Sequence, residues 1–130
     1  MTLKITAFQN GLSNLSAGMS ARVGKVVQRT AQQVVASAKE KMAEGKSGHM
    51  YGSHPASAPG EAPAIDTGNL AASIQIEPDG NLRAVIVVGA DYGPHLEYGT
   101  SRMAARPFLT PAMEEARQGF EKAVAEALIP

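Results

Sequence analysis

The sequence predicts a small α+β domain. An antiparallel sheet of three to four strands is packed by a long N-terminal helix and a C-terminal helix, with a long flexible Gly/Pro arm between the first helix and a hairpin. Three observations carry this. Apolar residues recur at every second position near the start of the chain and again after residue 73, the period of a strand. They recur at three and four positions over about 20–44 and 110–128, the period of a helix. Residues 45–68 hold five Gly and three Pro, so few of their backbone positions suit either element.

In chain order, Leu3, Ile5 and Ala7 alternate with Lys4, Thr6 and Phe8 as a first strand, which Asn10-Gly11 breaks. From Ser20 to Glu44, Met19, Val23, Val26, Val27, Thr30, Ala31, Val34, Val35, Ala38 and Met42 mark one helical face. Lys25, Gln28, Arg29, Gln32, Gln33, Lys39 and Glu40 mark the other. Such a helix is about 37 Å long, and Gly45 ends it. The apolar face is built of Val and Ala, which permits close packing on a sheet or a second helix. The arm over 45–66 contains His49, Tyr51, His54, Pro59 and Pro63, and is expected to stay mobile and to order only on assembly.

Asp66-Thr67-Gly68-Asn69-Leu70 closes the arm and leads into a hairpin. Ile74 and Ile76 alternate with polar residues, and Pro78-Asp79-Gly80-Asn81 is a turn with Asp-Gly at its centre. Val85, Ile86, Val87 and Val88 are consecutive, as in a strand that is central or covered on both faces. Tyr92–Ala112 is a connector dense in Gly and Pro. Thr110 is the expected N-cap of the last helix, with Pro111 at its first position and Glu114 and Glu115 near its positive end.

Composition sets bounds on function. A chain of 130 residues is expected to be one domain over 1–130, and 44% hydrophobic with 18% charged residues is a globular composition. Twelve basic residues balance twelve acidic ones, so no net charge favours phosphate and no sequence-specific nucleic-acid partner is expected. The absence of cysteine excludes disulfides and thiolate metal sites. No run approaches the ~20 apolar residues of a membrane span. The first residues lack the apolar core of a signal peptide. The expectation is a soluble protein made in the cytoplasm, with no membrane partner.

No catalytic, cofactor or metal site is predicted. His49 and His54 stand in the arm without cysteines or clustered carboxylates. His95 and Glu97 could serve a small hydrolase as a base and its partner, yet no nucleophile or phosphate cradle stands near them. Glu97 is better placed to pair with Arg102 or Arg106 and orient the connector. Tyr92, Glu97, Tyr98, Arg102, Arg106 and Phe108 are the candidate oligomer or assembly interface.

Three ordered stretches resemble a known family. They are Asp66–Leu70 followed by Ala72-Ser73-Ile74, then Tyr92-Gly93-Pro94-His95-Leu96-Glu97-Tyr98-Gly99-Thr100, and then Arg106-Pro107-Phe108-Leu109-Thr110-Pro111-Ala112. They are similar to motifs of the siphophage tail-component family typified by the Hong Kong lambdoid phage, known as tail-completion or head–tail joining (neck) proteins. The resemblance spans roughly residues 19–128. It departs at Gly93-Pro94, where the family more often has Ala and a non-proline residue. It implies a small α+β protein without enzymatic activity, forming a homo-oligomeric ring, expected to be a hexamer, at the head–tail junction. Its other partners would be phage neck and tail proteins. Its location would be the virion, and the bacterial host cytoplasm during assembly. A tail terminator or head-closure ring is the alternative within phage assembly.

Overall fold

A computed structural model describes residues 1–6, 17–43, 50–51, 54–55, 69–102 and 104–129, with the side chains of 50–51 and 54–55 excepted. The elements are β1 (Thr2–Thr6), α1 (Ala17–Ala43), β2 (Met50–Tyr51), β3 (His54–Pro55), α2 (Asn69–Ala72), β4 (Ile74–Pro78), β5 (Arg83–Val88), α3 (Gly93–Tyr98) and α4 (Leu109–Ala127). The fold is α+β, as the periodicities require. A three-stranded antiparallel sheet of order β1-β5-β4 carries one helical layer, in which α1 lies on the strands and α4 packs mainly on α1.

Strand β5 is central, and its alternation sets the two faces of the sheet. Ala84, Ile86 and Val88 are buried beneath the helices, whereas Arg83, Val85 and Val87 are half-buried on the opposite face. The strand is therefore central rather than covered equally on both sides. Registers Leu3↔Ile86 and Ile76↔Ile86 put the apolar positions of all three strands on the helical side. Helix α1 answers with Val23, Val27, Thr30, Ala31, Val34, Ala38 and Met42, all buried and all on the predicted face. Phe108, Leu109, Ala112 and Ala116 complete the same core from the start of α4.

Polar contacts fix how the elements are seated. Asn81 in the hairpin turn donates from Nδ2 to Ser20 O at 2.8 Å, and Arg22 Nε donates to Ala127 O at 3.0 Å. At the other end of the helix pair, Glu115 accepts from Lys41 Nζ, and from Ser37 Oγ at 2.9 Å. The Lys41 hydrogen bond, with that from Ser37, holds the Glu115 carboxyl below its ordinary pKa. The turn presses so closely on α1 that a Cβ at Gly24 would lie 2.1 Å from Asn81 Oδ1 and 2.9 Å from the Asn81 carbonyl oxygen. Alanine in place of a mid-helix glycine normally stabilises by about 1 kcal/mol. Here Gly24→Ala is expected to destabilise by about 1–3 kcal/mol through overpacking. Urea unfolding followed by circular dichroism reads the sign, and a gain in stability would refute the close approach.

One expectation is modified. The hairpin does not begin at residue 69, because α2 inserts one helical turn. Its closure is local: Ser73 N donates to Asn69 O at 3.0 Å, and Ser73 Oγ to Leu70 O at 2.7 Å. Of the arm, residues 50–51 and 54–55 form a two-stranded ladder with Met50↔Pro55 and Tyr51↔His54. The remainder of the 45–66 call, with His49, Pro59 and Pro63, lies outside the described residues, as do Asn10-Gly11 and the Gly45 stop.

Candidate functional site

The connector after β5 is built around one buried carboxylate. Gly89 N donates to Ser73 O at 3.0 Å, and Gly93 N to Ala90 O at 3.1 Å, which turns the chain off the sheet into α3. Gly93 is buried against Val88, where an added Cβ would meet Val88 Cγ1 at 2.9 Å. Pro94 sits in the first turn of α3, where its missing N–H costs nothing. Gly99 ends the helix at φ 76°, a conformation suited to glycine. Within this short helix Gly93 and Glu97 face inward, while Tyr92, His95 and Tyr98 face outward.

Glu97 is only 4% exposed, and both of its oxygens are fully engaged. Oε2 accepts from Phe108 N at 2.8 Å and Leu109 N at 3.0 Å; Oε1 accepts from Thr110 N at 2.7 Å and Thr110 Oγ1 at 2.5 Å. These amides are the free donors at the start of α4, where the helix dipole also favours a negative charge. A carboxylate from α3 thus caps a helix whose own N-cap residue, Phe108, has no capping side chain. The backbone between the two is also tied down, with Arg106 N donating to Leu96 O at 2.6 Å.

This corrects three expectations. The proposed tie from Glu97 to Arg102 or Arg106 is replaced by four hydrogen bonds to 108–110. Converging backbone donors are held in place by the helix itself, whereas a long arginine would have to be ordered. The Arg106 Nε is buried without a hydrogen-bond partner among the described residues. Thr110 is not the N-cap but the second residue of α4, with Pro111 third. Its hydroxyl instead helps to bind the carboxylate from α3. The hydrolase pairing of His95 with Glu97 does not form either, since the two lie on opposite sides of α3 and every acceptor position of Glu97 is occupied.

Of the six candidate interface residues, Tyr98 is 73% and Tyr92 46% exposed. Arg102 is exposed and Arg106 half-buried; Glu97 and Phe108 are inside the protomer. Reasoning from sequence missed the roles of Thr110, Asn81 and Gly24. The signal for the first was a hydroxyl residue in the first turn of an amphipathic helix, where it can bind an acceptor from elsewhere in the chain.

The family model described as "Bacteriophage HK97-gp10, putative tail-component" matches residues 6–99. The chain belongs to this HK97-gp10-like family. The match takes in β1 at its last residue, α1, the hairpin and α3 with Glu97, and stops short of α4. Membership in this HK97-gp10-like family supports a structural role in a phage tail, and the 106–112 stretch lies beyond the matched residues. No curated protein and no solved structure matches it. Among the described residues of this HK97-gp10-like chain, no helix is long and apolar enough to cross a membrane.

Proposed function

We propose that the protein is the subunit of a homo-oligomeric ring, a hexamer, at the head–tail junction or tail top of a phage, acting in tail completion without catalysis. Membership in a family of phage tail components is the observation that carries this reading. The geometry of the connector supports it. The Glu97 cap fixes α3 to α4, so that Tyr92 and Tyr98 are presented on a rigid base. Exposed tyrosines held this way are suited to a protein partner, because they bury a large area at little entropic cost. Helix α3 follows the end of β5, and its outer face with Arg102 meets the adjoining neck or tail protein. Glu97, Arg106 and Phe108 shape that face from beneath.

Phage carrying a null allele of this gene should yield filled heads and separate tails in the lysate, as seen by electron microscopy. Joined particles at normal yield would sink the proposal. Tyr98→Ala should leave the unfolding midpoint almost unchanged, within about 0.5 kcal/mol as for exposed sites, yet reduce joined particles at least tenfold. Wild-type yields from that variant would remove Tyr98 from the interface.

A further inference from the structure

We infer that neighbouring copies join edge to edge, β1 of one copy pairing in parallel with β4 of the next, with Lys4 placed beside Glu77 of the neighbouring copy. This rests on the ring reading and names its lateral contact.

Among the described residues, β1 and β4 are the two edges of the sheet. The phase of each edge can be read from bonds at the strand ends. Val88 N donates to Met1 O at 2.9 Å, so the ladder bonds of β1 fall at Leu3 and Ile5, and Thr2, Lys4 and Thr6 turn their N–H and C=O groups outward. Asp79 N donates to Arg83 O at 3.3 Å and Gly89 N to Ser73 O at 3.0 Å, so Ile74, Ile76 and Pro78 face outward on β4. Pro78 lacks a donor for a further strand, so with Lys4 beside Glu77 the Lys4 N–H donates to the Ile76 carbonyl while the Lys4 carbonyl gains no ladder bond.

Charge selects between the ways two edges can meet. Lys4 is the sole charged residue of β1 and Glu77 the sole charged residue of β4. Both lie on the face away from the helices, in one row through Val85. Two β1 edges related by a two-fold axis would oppose Lys4 to Lys4, which is unfavourable. Joining β1 to β4 brings opposite charges together and uses two different surfaces, the heterologous contact that rotation closes into a ring. Both edges run antiparallel to β5, so rotation about an axis along the strands keeps them parallel.

The helical layer leaves room for the added strand. Two helices side by side span roughly 20 Å, while three strands span only about 14 Å. Helix α4 lies on the β1 side of the layer, where residues of both elements line one groove. That groove, of about 450 Å³, has Ile5, Met113, Ala116 and Phe120 on its apolar part and Glu114, Arg117 and Glu121 on its charged part. A strand beside β1 directs every second side chain into that groove. On β4 the position able to do so is Ile76, half-buried within its own protomer, since Ile74 already belongs to the core.

The chain has no cysteine, which makes cross-linking a clean test. Within one protomer Lys4 and Glu77 are two strands apart, about 9–10 Å, too far for a disulfide. The double variant Lys4→Cys/Glu77→Cys, oxidised both as purified protein and in assembled particles, should give a covalent ladder up to the ring size on non-reducing gels. Each single variant should give at most dimers. Lys4→Pro removes an outward N–H without breaking the β1–β5 ladder, and should cost the oligomer at least tenfold in affinity while the monomer stays folded. A wild-type ring whose double variant assembles without the ladder overturns the edge contact and leaves the ring standing. Efficient dimer formation by Lys4→Cys alone, without a ladder from the double variant, overturns it in favour of a two-fold contact. A chain that is monomeric at all concentrations and forms no ring in particles overturns the ring reading, and this contact with it.

Discussion

Glu97→Ala is expected to destabilise the protomer by about 3–4 kcal/mol, through loss of charged hydrogen bonds and stranding of buried donors. The residue caps three backbone amides and one hydroxyl at the start of α4. Two of those amides belong to residues that are themselves buried, Phe108 at 0% and Leu109 at 3% exposure, so water cannot replace the lost acceptor. Glu97→Gln should cost about half as much on the same grounds. Its carbonyl oxygen still serves two donors, but its amide group confronts the others. Urea unfolding monitored by circular dichroism gives both values from the midpoint at unchanged slope. A loss below about 1 kcal/mol for the alanine variant, no more than an ordinary exposed cap, would mean that the carboxylate does not hold α4.

Phe108→Ala should cost about 3–5 kcal/mol, the usual penalty for emptying a fully buried phenylalanine site. Phe108 is the largest of the fully buried side chains, and it joins α4 to the strands and α1 in one core. Phe108→Leu should recover most of the loss, leaving about 1–1.5 kcal/mol. Because the Phe108 amide is bound by Glu97, the two sites should not be additive. The double variant Glu97→Ala/Phe108→Ala should lose less than the sum of the single losses, with a coupling of about 1 kcal/mol or more. Additive losses in the same unfolding measurements would show that the cap and the core pocket act separately.

Much of this protein is local information. The face Val23–Val27–Val34–Ala38 of α1 was legible because helical period and burial coincide over 27 residues. The β4–β5 hairpin was legible because Asp79-Gly80 demands a tight turn, and Gly80 does adopt φ 75°. Strand β1 and the extent of α4 followed from the same two periods. The one-turn helix α2 was not legible, since four residues are too few to show a period and the turn is closed by Ser73. In the connector, Glu97 was expected to pair with an arginine, whereas it binds backbone amides and the Thr110 hydroxyl.

Glu97 illustrates why. A glutamate among apolar neighbours signals a buried partner, but its partners lie 11 to 13 residues onward and are backbone amides, which carry no mark in the sequence. Only the packing of α3 against the start of α4 brings them together. The same holds for Asn81 and Ser20, 61 residues apart, and for Gly24, whose lack of a side chain matters only because the hairpin turn lies upon it. Element type, order and amphipathic faces depend on neighbours in the chain, so composition and spacing determine them. Which polar group satisfies which depends on distance in space, and that was decided when α4 closed on α1 and the sheet.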